Sequence, residues 1–150
     1  MSHTFTNLLV HVIFSTKTRK PFIDSSLKPR MHAYLGGIAR DLECVPLGIG
    51  GVADHVHLLL RIPAKLSVSE VVGKVKANSS GWVHKEVPNQ FDFAWQAGYA
   101  AFSVSESSKS RVLAYIGDQD AHHNQRSFQD ELVAFLRRHQ VPFDLAELLD

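Results

Sequence analysis

The chain is almost devoid of cysteine, with Cys44 standing alone among 150 residues. A lone thiol excludes an internal disulfide framework and fits a reducing compartment. Long apolar runs are missing as well: no stretch approaches the roughly 18 apolar residues a membrane span needs. The N-terminus lacks the succession of charged, apolar and small residues that marks a signal peptide, so a cytoplasmic protein is expected. Charge is balanced, 16 Lys and Arg against 15 Asp and Glu, and the formal net charge is only +1. No general basic field announces a nucleic-acid partner, and local patches would have to hold one. Repeats, low-complexity tracts and linkers are absent too. With 45% hydrophobic and 21% charged residues, positions 1–150 read as one domain able to bury a core without covalent staples.

The patterns that are present divide the chain into short elements. Residues 5–14, FTNLLVHVIF, read as a buried strand, followed by a basic loop, TKTRK, at 16–20. Ser25 or Ser26 can open a helix in which Leu27, Met31, Tyr34, Leu35, Ile38 and Leu42 fall at helical spacing, with Pro29 in its first turn. Two apolar runs, 43–50 and 54–62, flank Gly50-Gly51 and predict a hairpin. Ser67 and Glu70 form a capping-box pair for a helix that buries Val68, Val71, Val72, Val75 and Trp82. YAAFSVS at 99–105 predicts a strand, and a third helix is expected from about Ser108 to His122. The last helix, SFQDELVAFLRRH, has Ser127 as cap and Phe128, Leu132, Phe135 and Leu136 as its stripe. The order β-α-β-β-α-β with two extra C-terminal helices predicts an α+β, ferredoxin-like fold. Its four-stranded antiparallel sheet would carry the crossover helices on one face.

DHVHLLLR, residues 54–61, places two histidines one residue apart in an apolar run. On a strand, His55, His57, Leu59 and Arg61 share one face, and Val56, Leu58, Leu60 and Ile62 the other. That strand should be central, with its histidine side opposite the crossover helices. Nine histidines supply about half of one such pair by chance, so the pair alone fits a half-exposed solvated face equally well. In the third helix Tyr115 and Gln119 lie four apart, hence on one face. A phenol can act as a nucleophile and an amide carbonyl is a hard oxygen ligand. Two imidazoles and that carbonyl would make a three-ligand metal site with positions left for substrate oxygens. The plainer readings are an amphipathic Tyr115 at a helix–sheet seam and a solvated Gln119. His122 and His123 point about 100° apart on a helix, so both cannot face one ion; His123, four after Gln119, could support the site from behind. His11 reads as a satisfied sheet histidine, and Trp82 and Trp95 as packing residues. HVHLLL also overlaps the histidine-triad nucleotide hydrolase pattern, but Leu59 stands where the third histidine belongs and breaks it.

Four blocks in order, DHVHLL at 54–59, WQAGYAAFSVS at 95–105, YIGDQDAHH at 115–123 and SFQDEL at 127–132, give the chain its resemblance. Nearly end to end it resembles the single-tyrosine HUH (His-hydrophobic-His) transposases of the insertion-sequence 200/605 type and their REP-associated relatives. The resemblance implies a ferredoxin-like fold, Tyr115 as nucleophile, and His55, His57 and Gln119 as ligands of a divalent cation. Mg²⁺ is the expected ion, with Mn²⁺ able to substitute. It implies cleavage and rejoining of single-stranded DNA with hairpin ends through a 5′-phosphotyrosine, by a homodimer associated with the nucleoid when DNA is bound. Neither a membrane nor a small-molecule cofactor is expected. Lys17, Arg19, Lys20, Lys74 and Lys76 are the local cations available for phosphate contacts. The alternative is a domesticated relative that binds hairpin DNA without cutting it.

Overall fold

The computed structural model describes residues 3–120 and 126–149. Strands β1 (Leu9–Ser15), β2 (Val45–Val52), β3 (His55–Arg61) and β4 (Ala100–Val104) form one antiparallel sheet in the order β2-β3-β1-β4. Helices α1 (Leu27–Asp41) and α2 (Val68–Glu86) are the two crossovers, and α3 (Lys109–Gly117) and α4 (Phe128–Arg138) follow β4. This is the α+β order that the patterns predict, with β3 in the interior of the sheet. Among the described residues no helix is long and apolar enough to cross a membrane.

Alternation along β3 divides the molecule into two packed layers. Val56, Leu58 and Leu60 face one way, join Val12 and Phe14 of β1, and are covered by Met31, Leu35, Val71, Val72 and Val75 of α1 and α2. His55, His57 and Leu59 face the other way. That second face, expected to look outward, is covered: Ile116 of α3 packs on Leu9 and Leu59, and Phe128, Leu132 and Phe135 of α4 gather around Ile13 and Phe102. The trailing helices have apolar stripes of their own and bury them on the free side of the sheet.

Local chemistry explains most of the boundaries. The Ser67–Glu70 capping box opens α2, and the Ser127 side chain accepts from the Asp130 amide to open α4, both as predicted. Ser26 stands at the start of α1 without capping it; the Asp24 carboxylate instead accepts from the amides of Ser26 and Leu27 at 3.0 and 2.8 Å. Three expectations need correction. β1 begins at Leu9 rather than at position 5, because Phe5 is 92% exposed and has nothing to pack on. The β2–β3 turn falls at Ala53-Asp54, and Gly50 and Gly51 lie inside β2, paired with His57 and Val56. The third helix is interrupted: α3 ends at Gly117 with Asp118 leaving helical geometry as its cap, Gln119 and Asp120 are helical again, and the expected end at His122 lies outside the described residues.

His32, on α1, has a buried Nε2 with no hydrogen-bond partner among the described residues. Burial, then Lys28, lowers its pKa from 6.5 to about 4. As pH falls from 6.5 towards 4 the unfolded chain takes up a proton that the folded imidazole refuses, so stability must drop across that window. Of the loss seen in urea titrations, to which buried His11 also contributes, about 2 kcal/mol, discounted for partial exposure, should disappear in His32→Leu. An equally steep loss in His32→Leu would refute this assignment.

Candidate metal centre and tyrosine site

His55 and His57 are both fully buried, and the carboxylate of Glu131, from α4, is buried between them. Glu131 Oε1 lies 2.9 Å from His57 Nε2 and 3.3 Å from His55 Nε2. The far side of each ring is also engaged. His55 Nδ1 meets Asp54 Oδ1 at 2.7 Å, and His57 Nδ1 meets His11 Nε2 at 2.8 Å. Each Nε2–H can donate to the Glu131 carboxylate; with Nδ1–H donating outward, a cation that replaced those inner protons would meet both Nε2 lone pairs, the tautomers that metal-ligating histidines need. The three ligand atoms of His55, His57 and Glu131 lie within 4.8 Å of one another. A cation between these donors would add positive charge beside the buried carboxylate. The donor set therefore fits a divalent metal: two imidazole nitrogens suited to transition ions and a hard carboxylate oxygen. Burial disfavours the His55 imidazolium, but hydrogen bonds to Asp54 and Glu131 outweigh it and raise its pKa.

Tyr115, on α3, reaches this centre from the same chain. Its hydroxyl donates to Glu131 Oε2, and its ring lies edge-on to His57 with centroids 5.8 Å apart. Burial and the facing carboxylate push the phenol up to about 12, against the opposing pull of Arg126. Gln119, expected as a ligand, is buried with Oε1 3.4 Å from His55 Nε2, while its amide nitrogen donates to the Tyr115 carbonyl at 3.2 Å. His123 lies outside the described residues.

Glycine sets the position of α3. Gly48 and Gly50 of β2 stand beside Leu59 and His57 of β3 in the sheet register. A Cβ on Gly50 would lie 2.1 Å from the Ile116 carbonyl oxygen, and one on Gly48 would lie 2.6 Å from Leu113 Cδ2. The bare backbone of β2 thus forms a trough in which the tyrosine-bearing helix rests against the sheet.

Of the five cations singled out for phosphate contact, three are occupied within the protein. Arg19 donates to the Leu148 carbonyl at 2.9 Å, and Lys20 pairs with Asp92 at 2.6 Å. Lys76 donates to the carbonyls of Gln96 and Gly98 at 2.6 and 2.9 Å, pinning that loop, and burial lowers its pKa. Lys17 and Lys74 are exposed. Three residues of the centre were not assigned to it from the sequence: Glu131, Asp54 and His11. For Glu131 a signal existed, since it falls on the buried stripe of α4 between Phe128 and Leu132, where a carboxylate requires a partner.

The fold and the site together define a class: a ferredoxin-like α+β domain with a strand-borne histidine pair facing a helix-borne tyrosine. The sequence profile of the family described as "Transposase IS200 like" matches residues 4–119, and the chain belongs to that family. It is 27% identical over 124 residues to the transposase for insertion sequence element IS200 of Salmonella typhimurium, covering 79% of this chain and 81% of that one. The IS200 transposase of Salmonella typhi matches to the same extent. Among solved structures, the fold is similar to that of a candidate transposase from Deinococcus radiodurans R1. There the TM-score is 0.65 at 22% identity, with 79% of this chain and 95% of that one covered. It is also similar to a REP-associated tyrosine transposase bound to a REP hairpin, with a TM-score of 0.61 at 11% identity over 82% of this chain and 72% of that one.

Proposed function

We propose that this transposase-family chain, acting as a single domain, cuts and rejoins single-stranded DNA next to hairpins, using Tyr115 as the nucleophile. The observation that carries the reading is the meeting of Tyr115, His55, His57 and Glu131 at one buried point. The Tyr115 oxygen attacks the scissile phosphorus, a phosphotyrosine bond forms, and the bond to the 3′-oxygen breaks. The proton released by the phenol is matched by the one taken up at the departing 3′-hydroxyl. Attack by a 3′-hydroxyl on the phosphotyrosine reverses the exchange and reseals a strand, so no external energy source is needed. The solved relative with a bound REP hairpin supports hairpin DNA as the partner.

His55, His57 and Glu131 would hold a divalent cation, with Gln119 beside His55 as a further oxygen donor. Such an ion, when bound, supplies Lewis-acid polarisation of a phosphoryl oxygen. His11 and Asp54 hold the two rings in the ligating tautomer, and the trough in β2 holds the phenol in place. Because imidazole donors suit Mn²⁺ better than Mg²⁺, activity in Mn²⁺ should at least equal that in Mg²⁺. Glu131→Ala should weaken Mn²⁺ binding about ten-fold or more by electron paramagnetic resonance titration. Unchanged affinity would remove Glu131 from the ligand set.

The test of function is incubation with labelled hairpin oligonucleotides and Mn²⁺ or Mg²⁺, followed by denaturing gels and mass spectrometry of any covalent adduct. An adduct on Tyr115 is expected. The complete burial of both histidines beneath α4 favours one second reading, a hairpin-binding protein that no longer cuts. Tight hairpin binding with no adduct in either metal would establish it.

A further inference from the structure

A cavity of about 810 Å³ opens between β4, α3 and α4; Tyr115 and His11 form its inner end, and the rest of its lining lies outside the ligand set described above. Its wall is aromatic. Phe102 and Phe135 stack at 5.7 Å with planes 19° apart, and His139, exposed at the end of α4, stacks on Phe102 at 4.4 Å and 19°. Its mouth is basic. Arg111 donates to Ser108 Oγ at 3.3 Å, and Arg138 lies with Cζ 5.6 Å from the Phe135 ring centroid. Among the described residues no carboxylate lines the cavity. Glu106, the acid closest in sequence to its α3 side, is held by Lys109 at 2.6 Å and by Asn7 at 2.9 Å. The volume falls in the range of about 300–1,000 Å³ typical of pockets for small organic groups. Two guanidinium groups at a cavity walled by stacked rings, with no acid in its described lining, suit a phosphate joined to a flat apolar body.

We infer that this cavity is a nucleotide subsite. It takes one nucleotide of the single strand flanking the phosphate that Tyr115 attacks, with the phosphodiester at Arg111 and Arg138 and the base on the aromatic wall. The assignment rests on the single-strand DNA reading and adds to it where the strand runs. The bland account of Arg138 is a cation at a helix C-terminus, and of Arg111 a solvated side chain on α3. Those roles predict no contribution to strand binding.

Fluorescence anisotropy with labelled dT8, a strand without a hairpin, separates the accounts. With EDTA present and no cleavage taking place, the full chain is titrated across a range of NaCl. Arg111→Gln/Arg138→Gln should weaken binding about ten-fold or more at low salt. Its slope of log Kd against log salt should fall by about 1.4, the loss of two phosphate contacts on a single strand. Lys65→Gln/Lys85→Gln removes the same charge from elsewhere on the surface and should leave that slope unchanged. An abasic analogue of dT8 should bind the wild type at least about five-fold more weakly, and His139→Ala should narrow that gap. Failure of the wild type to bind dT8, or equal slopes in the arginine and lysine variants of unchanged melting temperature, would overturn the subsite. Because no cutting is involved, dT8 binding that depends on the arginines, together with absent adducts, would fail the cleavage reading alone. Normal adducts with indifferent arginines would fail the subsite alone.

Discussion

Tyr115→Phe should abolish covalent attachment of the protein to DNA, lowering adduct formation by at least about 10⁴-fold, while strand binding persists. The substitution removes one oxygen and keeps the ring, whose contacts with His57 and Phe135 at centroid distances of 5.8 and 5.4 Å hold α3 in place. Phenylalanine has no atom with which to form a phosphoester, so no other property of the site can compensate. Folding will feel the change, because Glu131 Oε2 loses the donor provided by the phenol, a cost of about 1–3 kcal/mol for a buried acceptor. Melting temperature therefore has to be measured beside the gel assay. In the wild type, a phenol held near 12 should make adduct formation faster from pH 7 to 9, since the deprotonated nucleophile grows with pH. A Tyr115→Phe protein that still forms adducts would move the nucleophile to another residue.

Gly50→Ala should cost about 100-fold in adduct formation, although Gly50 has no side chain with which to take part in the chemistry. The added methyl would stand 2.1 Å from the backbone oxygen of Ile116 and 2.9 Å from its Cγ2. A carbonyl in a helix cannot swing aside as a side-chain tip can, so α3 as a whole must lift by about 1 Å. Tyr115 precedes Ile116 and moves with it. A misplacement of this size is worth about two orders of magnitude in a reaction that depends on alignment. Overpacking should also cost about 1–3 kcal/mol of stability. Gly37→Ala on α1 is the control: its Cβ would meet nothing within 4 Å, and alanine should stabilise the helix by about 0.5–1 kcal/mol with full activity. Full activity in Gly50→Ala would remove the trough as the device that positions the phenol.

What could be read from the sequence and what could not divide along a physical line. Short-range periodicity carried the element order, the Ser67 capping box and the sharing of one face by His55 and His57, because each depends on neighbours within about four residues. Tyr115 and Gln119 were legible as helix neighbours for the same reason, although the helix breaks between them at Gly117 and Asp118. Glu131 on the stripe of α4 calls for a partner, but SFQDEL does not say which, since His55 and His57 lie more than 70 positions away and only the packing of α4 brings them together. His11 appeared as an ordinary strand histidine for the same reason; its partner is 46 residues distant. Gly50 and Gly51 resembled a turn because glycine signals both tight turns and close approach of another backbone. Here the approach of α3 prevails, and the chain reverses at Ala53-Asp54 instead. Lys76 and Arg19 look like surface cations in the sequence, but backbone carbonyls hold them.

The phenol and both imidazoles belong to one polypeptide. Under the proposed mechanism a solitary molecule carries both the nucleophile and the histidine pair, and dilution should not slow the first cut per molecule. Mixing a Tyr115→Phe preparation with a His57→Ala one should restore nothing, since neither can lend its intact half to the other. Recovery of cutting in that mixture would mean that helices are exchanged between copies.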